Sequence, residues 1–300
     1  MEMADHRSDF EVLREGPIWW PIDPRLMMRC DSENSLDESS QKLTSDQDKT
    51  NTSVYTNSQH TQKAFEVMLS MRNQKLLCDV VLVAGSEEIY AHKMVLAACS
   101  PYFYAMFHRF DEKKRGRIHL KDFDPLALKL IIDYVYTSEI RVTEDNVQSL
   151  LPAANLLQLT DIRDACCVFL ESQLHPTNCL GIRAFADLHN CTNLFNKSEN
   201  YIERYFKDVV ESEEFLALSH QQVKKLVSCD QLGIPSEEIV FESVISWTLH
   251  DKNRLQHLPE LMENVRFPLM QYKYLVERVS SHPLMKKDLK CKLFHALLFS

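Results

Sequence analysis

The stretch from Cys78 to Phe107, CDVVLVAGSEEIYAHKMVLAACSPYFYAMF, constrains the fold most, because within thirty residues it passes from strand periodicity to helical periodicity. Val80, Val81, Leu82 and Val83 form an unbroken branched apolar run, the pattern of a strand covered on both faces. Gly85-Ser86 turns the chain, and in the return strand Ile89 and Ala91 alternate with Glu88, Tyr90 and His92, which suits a half-buried partner. From Lys93 the spacing of Val95, Leu96, Ala98 and Cys99 is helical, until Ser100-Pro101 stops one helix and starts another with proline in its first turn. Tyr102, Phe103, Tyr104 and Phe107 follow on that second helix. A small core has no need of all four, so part of this aromatic set is expected to face a partner.

Around this mixed segment the chain reads as helical. Only five glycines occur in 300 residues, which argues against β-rich architecture, propeller blades and glycine-rich phosphate loops. Residues 1–57 read as a disordered tail: between Asp31 and His60, 23 of 30 positions are Asp, Glu, Ser, Thr, Asn or Gln, too polar to offset the entropy of ordering. Gly16-Pro17-Ile18-Trp19-Trp20-Pro21 interrupts the tail as either a docking motif or a stray apolar patch. Folded sequence begins near Ser58, with Ala64, Phe65, Met68 and Met71 on one helical stripe that has no partner inside the helix. A short strand is expected over Arg117 to Lys121, and Asp124-Pro125 opens a helix carrying Leu126, Leu130, Ile131, Tyr134 and Val135. Thr143 and Thr160 are expected to cap two further helices, completing an α/β domain over 58–172. From 173 to 300 no strand signal returns, and short apolar stripes such as Phe195, Ile202, Phe206 and Val209, or Val240, Val244 and Trp247, predict an all-α bundle without a fixed repeat.

Composition and motifs narrow the chemistry. A net charge of −9 argues against a general nucleic-acid or anionic-membrane surface, and no run approaches the length of a membrane span. Nine cysteines without a Cys-x-x-Cys, and no leader-like first segment, predict free thiols in a reducing compartment. Gly-x-Ser-x-Gly, Gly-x4-Gly-Lys-Ser/Thr and Gly-x-Gly-x-x-Gly are all absent, so the chain is expected to have no catalytic site. His175, Cys179, His189 and Cys191 lie within 17 positions, but their spacing fits no zinc pattern; neither metal nor cofactor is expected. Lys113-Lys114-Arg115-Gly116-Arg117 reads as a solvated basic loop or a nuclear-import patch. Asp79 and Lys93 stand at one end of the predicted hairpin, either as a mutual pair or as two exposed ends.

Several segments together resemble the BTB (POZ) domain of kelch-like proteins: Cys78-Asp79-Val80, Ala91-His92-Lys93, Leu96 through Phe107, and Asp133-Tyr134-Val135-Tyr136-Thr137. Leu150-Leu151-Pro152-Ala153-Ala154, Cys166-Cys167, Phe169-Leu170-Glu171, Asn178 through Arg183 and Phe185-Ala186-Asp187 are similar to the start of that family's BACK domain. Ser236-Glu237-Glu238, Val240-Phe241 and Trp247 fit its later part, so the resemblance spans about Ser58 to Ser281. It implies an α+β BTB domain followed by an all-α BACK domain. It also implies a dimer that binds cullin-3 as the adaptor of a ubiquitin ligase, with other BTB proteins as heterodimer partners and actin among the ligands that the family admits.

By position, the resemblance assigns Phe110-Asp111-Glu112 to the family's hydrophobic-x-Glu cullin motif, in a loop one residue shorter than usual. It places Tyr102, Phe103 and Tyr136 near the cullin surface, and Leu174 to Cys191 in the box that extends it. Asp79 and Lys93 correspond to the charged pair at the dimer interface, and Phe65, Met68 and Met71 to the first helix across the two-fold. Kelch blades depend on a Gly-Gly pair and none occurs in these 300 residues; the substrate-binding propeller is therefore expected to be absent and the substrate stays unnamed. A cytoplasmic location, extending to the nucleus, goes with this reading, while nuclear residence through Lys113 to Arg117 favours the runner-up. The runner-up is a BTB transcriptional regulator or an oligomerisation scaffold without a ligase role.

Overall fold

The computed structural model describes residues 55–109 and 116–287. The Gly16–Pro21 motif, Phe110, Glu112 and the Lys113 to Arg115 part of the basic loop lie outside them. The backbone divides after Val67 into two units. Helix α1, His60–Asn73, has no buried residue, and in its first half Gln62 Nε2 donates to Glu66 Oε1 one turn on (3.0 Å).

The sheet of the second unit follows from the apolar run. Strand β1, Val80–Ala84, lies between β2, Glu87–Ala91, and β3, Arg117–His119. It pairs antiparallel with β2 and parallel with β3. A strand flanked on both edges and packed on both faces needs apolar side chains in succession, and Val80 and Leu82 are sealed from solvent. Strand β2 alternates as expected, with Ile89 and Ala91 buried. Gly85 at φ 55° makes the two-residue turn between Ala84 and Glu87, the left-handed position of a type II′ hairpin.

Helices α2, Lys93–Cys99, and α3, Pro101–Arg109, meet at Ser100. The buried Ser100 hydroxyl accepts from the Phe103 N–H (3.2 Å) and donates to the Leu157 carbonyl (2.7 Å), so it caps α3 and ties it to a later helix. Asp124 caps α4, Pro125–Thr137, by accepting from the Ala127 N–H at 2.8 Å. Helix α5, Glu144–Leu156, opens with the Thr143–Asn146 capping box. Helix α6, Thr160–Ser172, differs from expectation at its start, because Leu159, not Thr160, is the N-cap. The cause is the tight exit from α5, where Gln158 sits at φ 56° and the Leu159 N–H returns to the Ala154 carbonyl.

The remainder is helical in every described element. Helices α7 (Cys179–Leu188), α8 (Thr192–Arg204), α9 (Phe206–Val209), α10 (Glu213–Ala217), α11 (His220–Val227) and α12 (Glu238–His250) pack with α13 (Leu258–Met262). Shorter turns follow, including α14 (Tyr272–Tyr274), a π turn over Leu275–Val279 and α15 (Pro283–Lys287). Helix α12 is buried nearly all round through Val240, Phe241, Val244, Ile245 and Trp247, and its neighbours supply Phe206, Phe215, Val223 and Leu261. Glu214 Oε2 accepts the Leu180 and Gly181 N–H groups at 3.1 Å each, capping α7 from another helix. A Cβ on Gly181 would approach Glu214 Oε1 at 2.6 Å, so a larger residue there would displace the carboxylate from this position.

One ion-pair cluster holds the last turns to α12. Glu242 accepts from the Tyr274 hydroxyl (2.6 Å) and from Arg278 Nε and Nη2 (2.7 and 3.1 Å). The Arg278 hydrogen bond holds the Glu242 carboxyl below its ordinary value of 4.5. A depressed folded-state value adds stability above the unfolded-state value and loses it as pH falls through the folded one. Urea titrations should therefore show the stability gap between wild type and Glu242→Gln narrowing from about pH 5 to about pH 3. A gap that stayed constant would contradict the assignment.

Candidate docking surfaces

Residues around Asp79 and Arg72 fix the end of the sheet. Asp79 Oδ1 accepts the Lys93 N–H at 2.7 Å, where His92, the N-cap of α2, offers no side-chain cap of its own. The carboxylate thus takes one of the orphan donors of the first turn and lies at the positive end of the helix. The Lys93 ammonium lies 5.6 Å from the Phe107 ring centroid. Replacing Asp79 with alanine should cost about 1 kcal/mol, the usual loss of a helix cap, read as a shift in the urea midpoint with slope unchanged; no shift would remove the capping role.

Behind this cap, the Tyr136 hydroxyl accepts from the His92 N–H and lies 2.9 Å from His92 Nδ1, while His92 Nε2 reaches the Leu76 carbonyl at 3.0 Å. The carbonyl can only accept, so Nε2 carries the proton and Nδ1 receives the tyrosine hydrogen. Burial pushes the Tyr136 phenol up to about 12. Arg72 lies over the same ring at 4.9 Å, donates to the Tyr90 carbonyl (3.0 Å) and pairs with Asp133 (2.8 Å). Its side chain is only 10 % exposed. The last turn of α1 is thereby riveted to β2 and α4.

Beyond that turn the chain leaves apolar side chains in water: Leu77, at φ 55°, is 80 % exposed, and Leu76 and Met94 are also exposed. Met68 and Met71 are half-buried, as is Phe65 in the first unit.

The aromatic helix divides its side chains. Phe103 is sealed and stacks on buried Phe107, with centroids 5.8 Å apart, while Tyr102 and Tyr104 stay half-buried. Tyr102 meets the edge of Phe103 at 5.7 Å. Of the six residues that resemblance places at a cullin surface, Phe110 and Glu112 lie outside the described residues. Tyr102 is accessible, and Phe103, Tyr136 and Cys191 are interior. The interior three hold neighbouring side chains in place and do not themselves offer surface. Helical spacing on α3 already separates Phe103 and Phe107 from Tyr102, but Tyr136 is packed against His92 and Arg72, which no local pattern reveals.

The α7–α8 corner carries the segment from Leu174 to Cys191. Asn155 Nδ2 of α5 donates to the His189 carbonyl (2.9 Å), and Asn190 takes φ 55° to turn the chain. Val168 and Leu188 expose large apolar side chains on α6 and α7. His175, Cys179, His189 and Cys191 form no ligand cluster among the described residues; Cys179 and Cys191 are buried. Cys78, Cys166, Cys167, Cys179, Cys191 and Cys229 carry free thiols.

The BTB/POZ domain family matches residues 68–174, and BACK (BTB And C-terminal Kelch) matches residues 179–280. The chain is a BTB–BACK protein of the kelch-like type. It is 56% identical to Kelch-like protein 2 of Homo sapiens over 241 residues, covering 80% of this chain and 41% of that protein. It is 53% identical to Kelch-like protein 3 of Bos taurus over 264 residues, covering 87% and 45%. The chain thus spans less than half the length of these relatives. The solved BTB domain of zebrafish PATZ1 aligns over 40% of this chain and 99% of its own, at 29% identity and a TM-score of 0.38. No helix among the described residues is long and apolar enough to cross a membrane.

Proposed function

We propose that the chain is a homodimeric adaptor that docks cullin-3 and carries no active site of its own. The observation that supports this most is the division of labour around the sheet: Arg72, Tyr136 and His92 pin the last turn of α1, while no residue of that helix is buried. An apolar stripe of Phe65, Met68 and Met71 that the chain covers only in part suits a second copy of the chain, with Asp79 and Lys93 at the seam. The cullin contact falls to Phe110 and Glu112, with Tyr102 beside them: an apolar anchor and an acidic neighbour give a small interface both affinity and partner choice. Tyr136, Phe103 and Cys191 act from within by holding that surface.

The adaptor works in the cytoplasm. Substrate reaches it through the BACK domain, the Trp19-Trp20 segment or another BTB protein. Co-purification of cullin-3 with the tagged chain tests the reading; a dimer that never retains cullin-3 would instead favour a transcriptional or scaffold role.

A further inference from the structure

His220, His257 and Glu260 lie together at the partly exposed edge of the BACK helices, and each offers a ligand atom within 4.8 Å of the others. His220 is the first residue of α11, set by the Ser219–Gln222 capping box and held by buried Val223, Leu226 and Val227. His257 and Glu260 stand three residues apart around the start of α13 and so share a face; buried Leu258, Leu261 and Met262 fix that helix from the other side.

The two imidazoles stack face to face with centroids 4.1 Å apart and planes 16° apart, so one ring must turn for both to direct a nitrogen at a single ion. His220 Nε2 is sealed from solvent and has no hydrogen-bond partner, although Glu260 Oε2 lies 3.1 Å from it. Buried polar atoms in native proteins are almost always satisfied, so an orphaned imidazole nitrogen beside a second imidazole and a carboxylate calls for an occupant.

We propose that His220, His257 and Glu260 form a binding site for a divalent cation of the zinc class, joining α11 to α13. Two imidazoles and a carboxylate are a zinc donor set that leaves a fourth position for water. Ligand atoms about 2.0–2.2 Å from one ion lie roughly 3.3 Å apart, so side-chain rotation alone closes the present spacing. Lys224 Nζ holds Glu260 Oε1 at 2.6 Å and competes for the carboxylate.

Cobalt(II) serves as the optical probe on the intact 300-residue chain, with zinc as the competitor. The expected result is a saturable d–d spectrum at one ion per chain, without the near-ultraviolet thiolate band that the cysteines would give, and displaced by zinc. Glu260→Gln and His257→Gln each weaken binding about tenfold or more, and Lys224→Met strengthens it. Zinc also raises the thermal midpoint of wild type more than that of either ligand variant. Binding unchanged by Glu260→Gln and His257→Gln, a thiolate spectrum, or no binding by a folded wild type would overturn the proposal. Because Lys224→Met removes an exposed cation and no core contact, a misfolded ligand variant does not leave the question open.

Discussion

Replacing Phe110 with alanine together with Glu112→Lys is expected to lower cullin-3 binding at least about 100-fold, while the chain stays dimeric and folded. Truncating an apolar anchor at an interface centre costs about 2 kcal/mol or more, and reversing an acidic neighbour adds like-charge repulsion to the loss. Titration against the amino-terminal part of cullin-3, with light scattering on both variants, measures it. Undiminished affinity would remove Phe110 and Glu112 from the interface, whatever else the BTB domain does. Tyr102→Ala should fall between wild type and the double variant, since its ring is accessible while Phe103 beneath it is sealed.

The second large effect belongs to Trp247. Its indole is 1% exposed, its Nε1 donates to the Leu218 carbonyl at 2.9 Å, and the Arg254 guanidinium covers the ring at 4.4 Å. Arg254 in turn donates to the Leu216 carbonyl at 2.7 Å. Trp247→Ala opens a cavity, strands the Leu218 carbonyl and removes the ring under the Arg254 guanidinium, so a loss of about 3–5 kcal/mol is expected. Trp247→Phe keeps much of the packing and gives up the hydrogen bond, and it should cost less. A urea midpoint for the alanine variant within about 1 kcal/mol of wild type would contradict the central place of α12.

Much of the fold was legible because its causes are local. The branched run from Val80 to Val83 announces a strand covered on both faces, Asp124-Pro125 a cap and first turn, and Thr143 a helix cap; each stands where the pattern places it. The cap of α6 was misread because Thr160 looks like a cap in isolation, whereas the left-handed turn at Gln158 makes Leu159 the boundary. The site was less legible for a physical reason. Arg72, Tyr136 and His92 come from three elements and meet only in three dimensions. His220 and His257 lie 37 positions apart, without the short spacing that marks a zinc motif. The surplus of aromatics on α3 pointed to a partner, and the structure sorts that surplus into Phe103 and Phe107 within, Tyr102 and Tyr104 at the surface.

The pairing of Asp79 with Lys93 gains a definite form as well. On sequence alone it is an ion pair or two loose ends; in the structure the Lys93 backbone N–H also donates to the Asp79 carboxylate, a helix cap. A cap rigidifies the mouth of α2, next to exposed Met94 and Leu77. A dimer seam built there would meet a preformed surface, which lowers the ordering cost of association.

The mass of the complex with the amino-terminal part of cullin-3, measured by sedimentation equilibrium at micromolar concentration, tests the adaptor reading most directly. Two copies of the chain with two of cullin-3 are predicted, and two copies of the chain when cullin-3 is left out. A monomeric chain, or a dimer that sediments apart from cullin-3 at every concentration, would contradict it.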